Sequence, residues 1–413
     1  MKKILVLMVS ICFVCALVTG CKSKDIVKNT EENKKTTEKT TEKTTEENEI
    51  KECFDYNSAQ VVDTGFVTGY GNKVYSCSCK TSGSVYILHV ADMETGEQVP
   101  LCNVEDCLHK NYKCGGYICF DSDKIWDMKI INNRIYFVIS TGSKLSTISL
   151  SINGGERKDE GVFLDIQKVM PNGGGLDDNS ARVENKNIFF SFDKFDDTNE
   201  RYLCIVRKSL DDKGNTETVL EEVMSDDGVG TSGYNIMDGY LYYNNGAEFK
   251  RINLSNLEIE KVAEDMYYVS RYNNSGQILA CTYNENHLDI YVYDDGNKYY
   301  IQNSGLKEEY LNIIQNSAES SLESYYIDDK YVYIYEKNEI GKTLIFDHKF
   351  SYIGAVDMKV IATVGENLIC VDENKFVSVK REEIFDKFPE KLTIMIKKSE
   401  YDYEWPEKMD DIG

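Results

Sequence analysis

Through most of residues 65–380, apolar and polar positions alternate with a period of two, in short runs broken by Asn, Asp or Gly. One such break recurs. It reads Gly71-Asn72-Lys73-Val74-Tyr75, Asn132-Asn133-Arg134-Ile135-Tyr136-Phe137, Asn185-Lys186-Asn187-Ile188-Phe189-Phe190 and Asp238-Gly239-Tyr240-Leu241-Tyr242-Tyr243. A strong further copy is Asp328-Asp329-Lys330-Tyr331-Val332-Tyr333-Ile334-Tyr335, and weaker ones are Asn274-Ser275-Gly276-Gln277-Ile278-Leu279 and Gly365-Glu366-Asn367-Leu368-Ile369. Asn and Gly tolerate positive φ at a tight turn. The period-2 run that follows gives a strand with two distinct faces. Each copy therefore predicts a β-hairpin.

Helical periodicity is sparse, confined to about 308–323 and 380–388, and the four prolines interrupt no strand pattern. Seven hairpins spaced roughly 36 to 60 residues apart match a β-propeller with one four-stranded sheet per copy. The expectation is an all-β fold, a single β-propeller over 51–413, with seven blades favoured. Six or eight fit if the weak copies are counted differently. Sandwiches and meanders also alternate, but do not repeat one hairpin type this evenly.

The N-terminus is another material. Lys2 and Lys3 precede an apolar run over 4–18, followed by Val18-Thr19-Gly20-Cys21. This resembles a bacterial lipoprotein signal peptide and its lipobox, with 1–20 removed and Cys21 lipidated. An ordinary secretory signal ends in a small-residue site without that cysteine, and the apolar run is shorter than the roughly 20 residues of a membrane span. The diacylglyceryl group that this class supplies implies firm anchoring, since one acyl chain holds only marginally. Residues 22–50 carry seven Lys, seven Glu and one Asp, and Thr36-Thr37-Glu38-Lys39 repeats at 40–43. Such a segment buries too little to offset chain entropy. It reads as a disordered tether with a mean reach of about 30 Å and a full extension of about 100 Å.

Charge narrows the partners. Without Lys2 and Lys3 the chain has 45 basic and 70 acidic residues, a net charge of −25. That disfavours nucleic acid and anionic surfaces, and is ordinary for solubility.

Thirteen cysteines are present, seven of them between 53 and 119. Cys102, Cys107, His109 and Cys114 follow the spacing C-x4-C-x-H-x4-C, with Cys119 behind them and Cys77 and Cys79 ahead. Thiolate and imidazole sets of this kind suit tetrahedral zinc, although the spacing is not that of a common zinc finger. Disulfides are the rival reading, because an exported chain meets an oxidising space, and inert thiols are a third. Cys77, Cys79 and Cys119 are candidates for additional pairing. Residues i and i+2 on a strand lie about 6.6 Å apart, so Cys77 and Cys79 do not easily pair with each other. In every reading the cluster is structural, an insertion stapling the first blade. Cys204, Cys281 and Cys370 read as small buried hydrophobes.

The segment Leu101-Cys102…Asp106-Cys107-Leu108-His109…Cys114, behind a lipobox and a Tyr-rich first hairpin, resembles a group of uncharacterised lipoproteins of low-GC Gram-positive bacteria. Their bodies are similar to the propeller domain of the low-density-lipoprotein-receptor-related class. The resemblance implies a fold and an extracytoplasmic, lipid-anchored address, and brings no activity with it. Cys77, Cys79 and Cys119 lie outside the group's core pattern.

Catalytic motifs are absent from the sequence. Gly230-Thr231-Ser232-Gly233 is no nucleophile elbow, Gly173-Gly174-Gly175 lacks the Lys-Ser/Thr of a P-loop, and the four histidines are scattered. Asp193–Asp197 and Asp294-Asp295-Gly296-Asn297 do not fit the EF-hand loop and read as solvated turns. The leading expectation is a monomeric binding or scaffold module, anchored in the bilayer and facing a cell-wall, glycan or protein ligand. A propeller enzyme (glycan hydrolase or lyase) needs only two carboxylates and is the alternative. A solute-binding component of a transporter is weaker, because its two α/β lobes require alternating strands and helices.

Overall fold

In a computed structural model, the chain is described over residues 59–61 and 65–396, apart from 78–84, 110–111, 121–122, 177–179, 212–215, 226–233, 247, 265–267, 270–277, 285–286, 295–296, 302–305, 320–324, 336–341, 373–374 and 387–390. The signal, Cys21, the tether and Cys79 lie outside the described residues.

The described residues form seven antiparallel sheets of four or five strands, plus one two-stranded ribbon. Each sheet uses strands close in sequence, and the sheets follow one another along the chain. Each of the seven hairpin signatures leads into a strand of a different sheet. Asn132 and Asn133 (φ 48° and 60°), Asn185 and Lys186 (46° and 61°) and Asp238 and Gly239 (50° and 79°) put both turn residues in the left-handed region, as the tightest hairpins require.

Every sheet buries both faces. Buried apolar side chains gather into seven clusters between sheets. Phe137 and Ile148 of the second sheet meet Tyr75 and Leu88 of the first. Trp126 and Val138 meet Phe190 and Phe192 of the third. Phe189 and Ile205 meet Tyr234 and Tyr243 of the fourth, and Tyr242 and Phe249 meet Tyr291 of the fifth. Ile290 and Val292 meet Val332 and Phe346 of the sixth, and Tyr333 and Ile345 meet Val360 and Leu368 of the seventh. The last cluster returns to the start, with Ile361, Val364 and Phe376 against Val67, Val74 and Ala91. A closed cycle of face-packed sheets is the arrangement of a β-propeller.

Among the described residues no sheet is shared at the closure: the first sheet is built from 59–100 and the last from 359–396, and they meet by side-chain packing. Gly69 sits there, buried, and a Cβ on it would collide with the Val364 side chain.

The helix expected over about 308–323 spans Glu308–Glu319, with Tyr310 and Ile313 inserted between the fifth and sixth sheets. The second expected helix is a single 3-10 turn, Arg381–Glu383. The strand Lys375–Lys380 runs up to it, and Arg381 is buried. Gly174 and Gly175 form a short strand against Asp193 and Lys194. A Cβ on Gly174 would strike the Asp193 backbone, which is why glycine serves there.

Candidate metal centre

The first sheet carries an insertion. The strand Val85–Ile87 pairs with Tyr117–Phe120 as a two-stranded ribbon. Between these lie two strands of the first sheet, His89–Asp92 and Gln98–Pro100, and then a loop running from Leu101 to Gly116. The ends of that loop are tied to the sheet. Leu101 N–H donates to Leu88 O at 2.7 Å, and Leu88 N–H donates to Gly116 O at 2.8 Å.

The loop turns inward on itself. Asp106 and His109 adopt φ of 55° and 56°, and Asp and His are among the side chains that tolerate this region best. The result is convergence: ligand atoms of Cys102, Cys107, His109 and Cys114 all lie within 4.8 Å of one another. The His109 ring Nδ1 is 3.4 Å from Cys114 Sγ. Cys102, Cys107 and Cys114 are thiols here, not disulfide halves.

Each sulfur is addressed by the backbone. Val104 N–H donates to Cys102, His109 N–H to Cys107 and Gly116 N–H to Cys114, each at 3.4 Å and each from two residues further along the chain. Gly115 N–H adds a second donor to Cys102 at 3.0 Å. Donors of this kind favour a charged sulfur over a neutral one.

The electrostatics are uneven. Burial opposes ionisation of Cys102, but the amides of Val104 and Gly115, with the neighbouring thiols, outweigh it and hold its thiol below the ordinary range. Cys114 is pushed well up, mainly by burial and then by the charge of Cys102. Burial also lowers His109 and keeps the imidazole neutral. Three thiols this close cannot all ionise unless a cation shares the space. A cation bound to neutral imidazole and thiolates answers that, so the donor set fits a metal ion.

The other cysteines separate. Cys77 and Cys119 are buried in the apolar cluster between the first and second sheets, where Cys77 packs with Tyr75. Cys204 and Cys370 are buried on strands. Burial pushes the Cys204 thiol up to about 12, as expected of a small core hydrophobe. Cys281 lies on the strand Ile278–Asn284.

Three partners of the loop were not legible as such. Gly154 and Gly155 close a turn of the second sheet, at φ of 84° and 70°, and press against Leu101, Cys102 and Asn103. Arg157 donates to Tyr117 O at 3.0 Å and Ile118 O at 2.6 Å, with its guanidinium over the Tyr117 ring. Asn153-Gly154-Gly155 signals a turn in sequence, but nothing in it says what the turn touches.

Elsewhere the buried charges are engaged between or within sheets. Lys129 on Lys124–Ile131 meets Glu184 on Ala181–Glu184 at 3.0 Å. Arg182 donates to Asn235 on Tyr234–Met237, and Asp127 accepts from Val183 N–H at 2.7 Å. Asp193 holds Arg201 at 2.7 Å.

No protein-family model and no curated protein matches the chain. Among solved structures, the propeller domain of the Trilobed protease from Pyrococcus furiosus is 11% identical with a TM-score of 0.46, over 83% of this chain and all of that one. A prolyl endopeptidase is 10% identical with a TM-score of 0.47, over 83% of this chain and 50% of its own length. A putative 6-phosphogluconolactonase from Bacteroides fragilis is 13% identical with a TM-score of 0.42, over 83% and 95%.

Proposed function

We propose that this chain is an extracytoplasmic lipoprotein whose folded body is a seven-bladed propeller acting as a binding or scaffold module. In this reading residues 1–20 are cleaved, Cys21 carries the lipid, and 22–50 hold the body away from the bilayer. The blade number is supported by seven sheets meeting at seven apolar clusters, the last returning to the first sheet. The address rests on Val18-Thr19-Gly20-Cys21 behind the apolar run.

The observation that carries binding over hydrolysis is the engagement of the carboxylates buried among the described residues. Glu184 is held by Lys129 and Arg182, Asp193 by Arg201, Asp328 by Arg381, and Asp127 by a backbone amide. A glycosidase needs two carboxyl groups facing the substrate about 5–10 Å apart, whereas these four hold the fold. The ligand class that fits a tethered module is a wall polymer or a protein at the cell surface. Fractionation of the producing cells tests this. The parent should pellet with membranes after a salt wash, and Cys21→Ser should not. A Cys21→Ser protein that stays as tightly membrane-bound as the parent contradicts the anchor.

Within this reading Cys102, Cys107, His109 and Cys114 hold zinc. Four protein ligands leave no open position, so the ion would be structural, closing the loop rather than activating a substrate. Ligation requires thiolates and neutral imidazole, so binding weakens as pH falls.

A further inference from the structure

We propose that the Ser151–Gly155 turn of the second sheet is the outer cradle of the metal centre, so that metal affinity and the packing of the first sheet on the second form one coupled equilibrium. This rests on the reading of Cys102, Cys107, His109 and Cys114 as a metal site.

The link runs through one residue. Gly115 N–H donates to Cys102 Sγ at 3.0 Å, and Gly115 O accepts from Gly155 N–H at 2.8 Å. A ligand sulfur and the second sheet are thus joined by a single residue. Hydrogen bonds in such a chain polarise one another. The turn itself is closed by Gly154 N–H to Ser151 O at 2.9 Å and Ser151 N–H to Gly155 O at 3.1 Å.

The fit is tight against the loop. A Cβ on Gly154 would stand 3.0 Å from Leu101 O and 3.1 Å from Cys102 N, both backbone atoms of the loop. A Cβ on Gly155 would overlap the Asn103 side chain. Beside the turn, Arg157 holds the exit of the loop through Tyr117 O and Ile118 O. On the inner side Tyr75 Oη, from the first sheet, donates to Ile152 O at 3.3 Å. The second sheet therefore grips the loop next to its first ligand, at its last glycine pair and at its exit. Residues in this position orient ligands without touching the ion. Coupling of this kind is reciprocal: what tightens the seam raises affinity, and what binds the ion tightens the seam.

Among the described residues the first sheet packs on the last through side chains, whereas the Gly155 N–H to Gly115 O bond gives it a main-chain tie to the second sheet.

The test is zinc affinity of the full-length chain, by competition with a chromophoric chelator, for parent, Gly154→Ala and Gly142→Ala. Gly142 lies in the same sheet at φ 58°, and a Cβ on it meets nothing within 4 Å. Gly142→Ala thus carries a positive-φ penalty without the contact. Gly154→Ala should bind zinc about 10- to 100-fold more weakly than parent, and Gly142→Ala should stay within about twofold. Hydrogen exchange at Gly155 N–H should slow when zinc is added to the parent. Arg157→Gln, which leaves the turn backbone intact, should weaken zinc about tenfold and stands in if Gly154→Ala does not fold.

Zinc binding by the parent with equal affinity in Gly154→Ala, Arg157→Gln and Gly142→Ala overturns the coupling and leaves the metal site standing. A parent that binds no zinc overturns both.

Discussion

Asp328 is the most heavily used buried side chain between the sixth and seventh sheets, and its removal has a calculable cost. It is 4% exposed. One carboxylate oxygen accepts the N–H groups of Lys330 and Tyr331 at 2.8 and 2.7 Å, fixing the hairpin turn. The other accepts from Tyr333 Oη and Thr363 Oγ1, both at 2.9 Å, and lies 3.4 Å from Arg381 Nη1. Thr363 lies on the last sheet and Arg381 in the 3-10 turn that follows its strand Lys375–Lys380, so one carboxylate joins the sixth sheet to the last. Burial raises the Tyr333 hydroxyl well above its ordinary value, with the Asp328 charge next. Breaking a buried ion pair from one side costs about 3–5 kcal/mol, because the surviving charge is stranded. Arg381 keeps Asp329, which is half-exposed, so Asp328→Ala falls at the lower end, about 3 kcal/mol. Urea unfolding measures it as a fall in midpoint at unchanged slope. Adding Arg381→Met removes the stranded charge, so the double variant should be less destabilised than the sum of the singles by about 1–2 kcal/mol. A cost below about 1 kcal/mol, or strict additivity, refutes the assignment.

Three further outcomes follow from the packing and the titrations. Gly69→Val should cost about 1–3 kcal/mol by overpacking the closing seam, and Val364→Ala in the same chain should recover part of it in thermal denaturation; two independent losses would show that the residues do not meet. His89 is 1% exposed, and burial lowers its pKa to about 4. Since the unfolded chain takes the proton first, stability contributed at neutral pH is lost as pH falls from about 6.5 to about 4, by about 3 kcal/mol in all. With chelator present throughout, His89→Gln should reduce that slope in unfolding measured from pH 7 to pH 4, and an undiminished slope contradicts it. Chelation at pH 7 should expose Cys102 and Cys107 to thiol reagents well before Cys204 and Cys370, which mass spectrometry resolves; equal labelling rates would place the cluster outside any metal-held loop.

The architecture was largely legible because a hairpin is a local object. Asn132-Asn133 or Asp238-Gly239 announces positive φ in two adjacent residues, and the alternation behind it needs no distant information. Each of the seven signatures leads into a strand of its own sheet. The convergent Cys/His group was legible for the same reason, since Cys102 to Cys114 spans 13 residues and convergence needs only loop closure. What could not be read is what the loop leans on. Gly154, Gly155 and Arg157 are about 40 residues beyond Cys114, and their role depends on two sheets meeting face to face. The misplaced helix near 380 has a similar cause: Arg381 is drawn into the carboxylates of Asp328 and Asp329, contacts no periodicity encodes.

The most direct test of the proposed metal centre is a crystal structure of the full-length chain with anomalous diffraction recorded on both sides of the zinc edge. One anomalous site bounded by Cys102, Cys107, His109 and Cys114 is expected, with sulfur at about 2.3 Å and nitrogen at about 2.0–2.1 Å. A disulfide between any two of these cysteines, or intact thiols with no anomalous density after purification in zinc, would contradict it.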